Sequence, residues 1–297
     1  MRTFIALTLM LSIFLHPRLT AGFAQGSLTP PGAPAPTMKT LDQIEPRTPI
    51  KSLPYTVEEP GSYYLTGPHF STNTGITISA SDVTIDLMGF TIHGSQNANH
   101  PGIQAVGGED VMLRNIVIRN GGVARFGVGL LIENTQSGTV RDITIHQNMA
   151  EGVILRNNGT GVCSDITVED CTITDNGGDG LRLDGSGLGQ FSNRSHIIRN
   201  NKISGNRDHG IFVDHVYGSI IEGNVIGPQV TSSNSYAIRS GVSRNLYVRN
   251  LELGNTNVLG SAFIFVSTSD TRGPTVNASG VLSTTNNEVH PWANFSR

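Results

Sequence analysis

Carboxylates, a histidine and an arginine recur at matched places in the middle of this 297-residue chain. Asp179-Gly-Leu-Arg-Leu-Asp184 and His209-Gly-Ile-Phe-Val-Asp214 superpose residue for residue, so Asp184 and Asp214 occupy the same place in successive phrases. If the phrases stack as neighbouring strands, the two carboxylates lie about 4.8 Å apart. Like charges that close raise the pKa of one partner and leave an acid beside a base. A carboxylate separation near ~5 Å suits a retaining glycoside hydrolase and a wider one an inverting enzyme. The same acids are alternatively a Ca²⁺ site, since that ion takes several carboxylate oxygens. Arg182 or His209 would then remove a proton beside a uronate carboxylate, the chemistry of β-elimination. Asp179 completes the catalytic candidates. Glu133, Arg156, Asp208 and Phe212 are the substrate-binding candidates, Phe212 as a ring on which a sugar could stack, although the 217–235 segment could equally cover it. No Cys/His metal spacing, nucleophile motif or phosphate loop is present.

The competing explanation is structural. Glu133, Arg156 and Asp184 alternate in sign, and an exposed ion ladder of that kind contributes only about 0–1 kcal/mol per pair while keeping a strand face soluble. Two aspartates in consecutive phrases do not fit a ladder. Asp179 lies in a Gly-Gly-Asp-Gly turn, where Asp is common for backbone reasons.

The elements that position these residues are read from a repeat. Gly75-Ile-Thr-Ile, Gly102-Ile-Gln-Ala, Gly129-Leu-Leu-Ile, Gly152-Val-Ile-Leu, Gly180-Leu-Arg-Leu and Gly210-Ile-Phe-Val follow one another at steps of 27, 27, 23, 28 and 30 residues. A short strand-like phrase at a near-constant period marks a solenoid. Alternation sends the first and third residues after each glycine inward: Ile76/Ile78, Ile103/Ala105, Leu130/Ile132, Val153/Leu155, Leu181/Leu183 and Ile211/Val213. A second phrase follows in each coil, with Ile92, Ile118, Ile145, Ile173, Ile203, Ile226 and Leu253 as its central aliphatic residues. Asn at the corners tolerates left-handed backbone, and stacked Asn can form side-chain ladders. The expectation is an all-β solenoid of about eight coils with three short strands each.

These coils resemble the right-handed parallel β-helix superfamily, the pectate-lyase-like fold, over residues 60–285. Pro60-GSYYLTG followed by Ser81-DVTIDLMGFTIHG is similar to the opening of an uncharacterised exported bacterial group within it. The resemblance implies a single right-handed solenoid and, because pectin-acting members place their sites on a comparable face, a polysaccharide as partner. Arg207-Asp-His-Gly-Ile211 resembles the His-Gly segment of polygalacturonases, but their Asn-Thr-Asp and paired-Asp motifs are not matched, and the Asp-Pro-His motif of alginate epimerases is absent.

The remaining features set the surroundings. Charged residues make up 14% and aromatics 6%, against 35 glycines, a composition suited to a narrow stacked core. A net charge of −3 argues against a nucleic-acid partner. Arg2, the apolar run Phe4–Leu15 and Ala21-Gly-Phe-Ala24 have the layout of a secretory signal, cleaved after Ala24; a retained N-terminal anchor is the alternative. The apolar run of about 12 residues is too short to span a bilayer. The layout read from the sequence is a signal at 1–24, a Pro-rich linker at 25–50, a cap at 51–75, the solenoid at 76–285 and a tail at 286–297. The expectation is a secreted or periplasmic monomer that binds an acidic polysaccharide, with cleavage by the acid pair, as a lyase or hydrolase, as the further step to test. The rival is a non-catalytic surface or envelope solenoid. Cys163 and Cys171, separated by a strand, are expected as free buried thiols.

Overall fold

The structure is a computed structural model. It describes residues 47–253 except 109–110, 160, 186–191 and 231–234, and beyond them the short strands Phe263–Phe265, Thr271–Arg272, Thr275–Val276 and Asn294–Ser296. The expected signal at 1–24, most of the linker and most of the tail lie outside the described residues. Every described residue belongs to the compact unit Pro46–Arg297.

Among the described residues the regular elements are all strands, and all their pairings are parallel. A nine-stranded sheet runs Tyr55–Val57, Ile76–Ile78, Ile103–Val106, Leu130–Glu133, Val153–Arg156, Leu181–Asp184, Ile211–Asp214, Ile238–Ser240 and Phe263–Phe265. Six of these are the glycine strands. The other two ladders merge into one nineteen-stranded sheet because Leu113–Ala124 and Thr135–His146 run through the corner between them without a break. A typical coil therefore has three strands, such as Val153–Arg156, Cys163–Glu169 and Thr172–Thr174.

All twelve inward residues of the glycine strands are buried, most with no exposed surface. Identical aliphatic positions stack on one another, so each coil closes the core of the last. The glycines are required by close approach. A Cβ on Gly152 would lie 2.6 Å from the carbonyl oxygen of Gly180, and one on Gly180 would lie 2.7 Å from that of Gly210. Left-handed residues turn the corners: Asn115, Ser137, Asp165 and Ser195 form one column, and Asn120, Asp142, Asp170 and Asn200 another, all with φ of 53–65°. Asn, Asp and Gly adopt that region at least cost.

The expected asparagine ladders are present. Asn148 Nδ2 donates to Asn176 Oδ1 at 2.9 Å, and Asn176 Nδ2 to Asn206 Oδ1 at 2.9 Å. A second ladder links Asn201, Asn224 and Asn250 at 3.0 and 2.9 Å. Each Oδ1 also accepts the backbone N–H of the residue one coil earlier, as Asn176 does for Asn148. The ladders thereby satisfy backbone donors that a tight buried corner leaves without strand partners. Cys163 and Cys171 are free and buried.

Three expectations change. Ile118 pairs with Val140, so it belongs to the second strand of its coil, and Val123 takes the place opposite Ile145. The Asn-Ile pattern falls one strand early there, because Gly121 stands where the next coil has Ile143 and Gly122 where it has Thr144, and the two make room for Leu87 and Thr91. Leu253 is 39% exposed, since Glu252 falls opposite Ile226. The solenoid also starts earlier than 76. Thr48–Ile50 pairs with Tyr63–Leu65, and Tyr55–Val57, Gly61–Leu65 and His69–Ser71 make a complete coil where a cap was expected. Pro49 is tolerated in the first of these because an edge strand leaves one side without a partner to donate to.

Candidate functional site

The outward face of the nine-stranded sheet carries the candidate residues in three columns. Strand ends align Glu133, Arg156, Asp184 and Asp214. Strand centres align Ile154, Arg182, Phe212 and Arg239. Glu151, Asp179, His209 and Tyr236 precede the strands; the carbonyl of each accepts the N–H of the glycine that opens the previous strand. The register is the one implied by the glycine phrase.

Arg182 organises the centre. Its Nη1 lies 3.3 Å from Asp179 Oδ2, and its Nη2 and Nε lie 3.1 and 3.3 Å from Asp184 Oδ2. Asp179 is 3% exposed and accepts the His209 backbone N–H at 2.9 Å. Burial pushes its carboxyl up to about 6, although that N–H and Arg182 both pull the other way, while Glu151 and Asp208 add to the rise. Burial by itself would lower the Arg182 pKa; the hydrogen bond to Asp184 and the charges of Asp184 and Asp179 outweigh it and raise it. These charges favour the guanidinium form of Arg182. It can pair an anion, because its side chain is one-third exposed.

His209 packs into the middle of the site. It is 7% exposed, its Nδ1 accepts the backbone N–H of Tyr236 at 3.1 Å, and its Nε2 lies 3.4 Å from Arg239 Nη1. Burial, with Arg239 and Arg182 adding to it, pushes its pKa down to about 4. The ring is neutral at pH 7 and stacks on Phe212, with centroids 5.7 Å apart and planes 15° apart. Above it, Phe212 lies between two guanidiniums, Arg182 at 4.5 Å and Arg239 at 5.4 Å from its centroid. Phe212 thus owes its half-burial among the described residues to its own column and His209.

Asp214 is held by the next rung: its Oδ1 accepts the Val242 N–H at 3.0 Å, and its Oδ2 lies 3.1 Å from His215 Nδ1. Gly241 leaves room for this carboxylate, since a Cβ would meet Asp214 Oδ1 at 2.3 Å and displace it. Asp184 and Asp214 are thus neighbours in register, but the first forms an ion pair with Arg182, while the second accepts a backbone N–H and lies beside His215. The two share one face without forming an isolated like-charge pair.

Glu133 and Arg156 continue the strand-end column on the preceding two rungs. Glu133 is buried, and Arg156 Nε donates to its Oε2 at 2.6 Å. Comparable pairs, Arg249–Glu222 and Arg199–Glu169, recur on the second strand of later coils, which makes this one part of the general charge ladder. Asp208 is exposed and contributes its charge to the field at Asp179. Among the described residues no group of three or more His, Cys, Asp or Glu could hold a metal ion. For the calcium alternative, the nearest acids, Asp179 and Asp184, are already bonded to Arg182.

Arg239 and Tyr236 were not legible as site residues. The signal was Ala237-Ile-Arg-Ser240, the phrase of the eighth strand of the sheet, with alanine in place of glycine. Ala237 is fully buried and aligns with Gly210 through the pairing of Ile211 with Ile238.

Comparison with solved structures places the solenoid among known folds. The enzymatically active domain of tailspike protein 2 of bacteriophage CBA120 superposes with a TM-score of 0.52 at 16% identity, covering 84% of this chain and 47% of that one. The full-length tailspike protein 2, from an Escherichia coli O157:H7 bacteriophage, gives 0.51 at 16%, covering 84% and 42%. The Agl-KA catalytic domain gives 0.48 at 15%, covering 82% and 43%. The chain thus spans less than half the length of these structures, and at such identities the likeness is one of fold. No curated protein sequence matches the chain. The family description "Right handed beta helix region" matches residues 62–226, more than half of the chain, and with the parallel three-strand coils it shows that this protein belongs to the right-handed β-helix family.

Proposed function

We propose that the outward face of the nine-stranded sheet binds an extended polysaccharide and processes it, with an anionic polymer as substrate. The observation that carries this reading is the Arg182–Phe212–Arg239 column beside a buried Asp179. Two guanidiniums flank one ring, so a sugar placed there meets an apolar ring edge and two donors for its carboxylates. Asp179, with a pKa of about 6, holds a proton for part of the time near neutral pH, the condition for a general acid. Asp184 and Asp214 supply the charged acceptors around it. The tailspike domain of similar fold is described as enzymatically active, which is compatible with catalysis on such a face. Action on an extracellular polymer would call for export, the role read for residues 1–24, and a monomer would suffice.

A second reading is a binding solenoid without catalysis. It is favoured by the engagement of Asp184 and Asp214 with their own neighbours. A panel of polysaccharides assayed for unsaturated products and for new reducing ends separates the two. The enzyme reading expects product from at least one uronate polymer, a loss of about 10²-fold in Asp179→Asn, and weakened binding in Arg182→Ala. Binding without product from any polymer supports the second reading. Unchanged activity in both variants would remove this face from consideration.

A further inference from the structure

A groove runs along the corner that leads from the third strand of each coil into the glycine strand. It encloses about 860 Å³ and is lined along its length by Gln96, Arg125, Gln147, Asp175, Arg207 and Val230. A smaller groove of about 390 Å³, lined by Phe70, His93 and Arg125, adjoins it, and Arg125 belongs to both. We propose that this trench is a second glycan-binding site, which takes an extended uronate-containing oligosaccharide along the solenoid axis.

The placement of the side chains supports this ligand. Arg125, Gln147, Asp175 and Gly205 form one column, one residue beyond the pairs Ala124–His146, His146–Thr174 and Thr174–Ser204. All four have positive φ, as does Gln96, whose N–H bonds to the Arg125 carbonyl. In the corner between the other two ladders the left-handed column runs Asn120, Asp142, Asp170, Asn200 and Gly223, residue types that tolerate this backbone best, and only its last member, Arg249, is long. Here long amide and guanidinium side chains stand in the same conformation, against local preference, and such departures are expected at functional sites. Gly177 keeps the wall low, because a Cβ would meet the Met149 carbonyl oxygen at 2.2 Å.

The chemistry is that of sugar recognition. Gln96 and Gln147 offer amide donors and acceptors to hydroxyls, while Met149 at 49% exposure and Val230 at 54% offer apolar contact. Asn148 and Asn176 also border the groove, but the ladder occupies their amides. Arg125 Nε bonds Gln147 Oε1 at 3.3 Å, and neither Arg125 nor Arg207 makes an ion pair with any described residue. The two arginines stand three coils apart, about 14 Å along the axis. That spacing needs a ligand of several sugar units, and two cations against the single carboxylate of Asp175 favour an anionic one. The proposal shares with the preceding reading only the class of polymer; no residue is common to the two sites.

Affinity electrophoresis in gels containing sodium alginate or polygalacturonate tests it, with hydroxyethyl cellulose as the uncharged control. Retardation of the wild type by at least one of the two uronate polymers is expected. The exposed pair Arg125→Ala/Arg207→Ala should weaken it about tenfold, the sum of two exposed charge pairs, and Asp175→Asn should strengthen it. Arg182→Ala/Arg239→Ala serves as the comparison. If retardation falls only in that variant, the corner groove is overturned and the sheet face stands. If it falls only in the groove variant, the groove stands and the sheet-face reading fails. No retardation of the wild type by either uronate polymer, or equal retardation by hydroxyethyl cellulose in all variants, overturns the groove as a uronate site.

Discussion

Asp179 and His209 lie one coil apart and titrate in opposite senses, and this leads to a test of the buried cluster that needs no substrate. The Asp179 carboxyl is raised from 3.8 to about 6, so between those values the folded chain holds a proton that the unfolded chain has lost. Its contribution is present below pH 3.8 and declines as the pH rises through 6, by about 1.4 kcal/mol per pH unit and about 3 kcal/mol in all. His209 is lowered from 6.5 to about 4, so between those values the unfolded chain holds the extra proton. Its contribution is present above pH 6.5 and is lost as the pH falls through 4, by a similar amount. From pH 4 to 6 the two slopes oppose each other and nearly cancel. Asp179→Asn should therefore gain stability with rising pH, relative to wild type, by up to about 1.4 kcal/mol per pH unit, and His209→Gln should lose it at the same rate. His196, also buried and lowered to about 4, contributes equally to all three proteins and drops out of the comparison. Urea denaturation at half-unit steps from pH 4 to 6 measures the slopes. If both variants follow the wild-type slope, the two groups do not titrate as their burial requires, and the reasoning about this cluster is wrong.

The ladders and the thiols give two further predictions. Asn176→Ala strands the buried N–H and side-chain amide of Asn148 and removes a donor from Asn206, so it should cost about 2–4 kcal/mol in urea denaturation; a loss under about 1 kcal/mol would mean that the ladder contributes little. Cys163 and Cys171 have at most 2% of their surface exposed, and burial pushes both thiols up to about 12, so a thiol reagent should label them only at the rate of unfolding. Rapid labelling of the native protein would contradict that packing.

Much of the fold was legible because neighbouring coils constrain each other through short contacts that a sequence records. Gly152 and Gly180 have no room for a Cβ against the next carbonyl, and the residues at one and three places beyond them must be aliphatic to fill the core. That pattern was enough to align Asp184 with Asp214 and Arg182 with Phe212. It failed where a coil departs from the rule: at Gly121-Gly122, where Leu87 and Thr91 occupy the space, and at Ala237, where alanine concealed the rung that carries Arg239.

The sequence by itself therefore determined the repeat, the inward residues and the column to which each polar residue belongs, since these follow from period and alternation. Only the tertiary structure decided what the columns do to one another. Arg182 reaches both Asp179 and Asp184 within its own coil, the next coil buries Asp179 and bonds it to the His209 backbone, and Arg239 closes over Phe212. Burial and the direction of a long side chain are set by contacts between coils, which no spacing along the chain encodes. For that reason the pair first singled out, Asp184 and Asp214, gives way at the centre of the site to Asp179, Arg182 and the stack on Phe212.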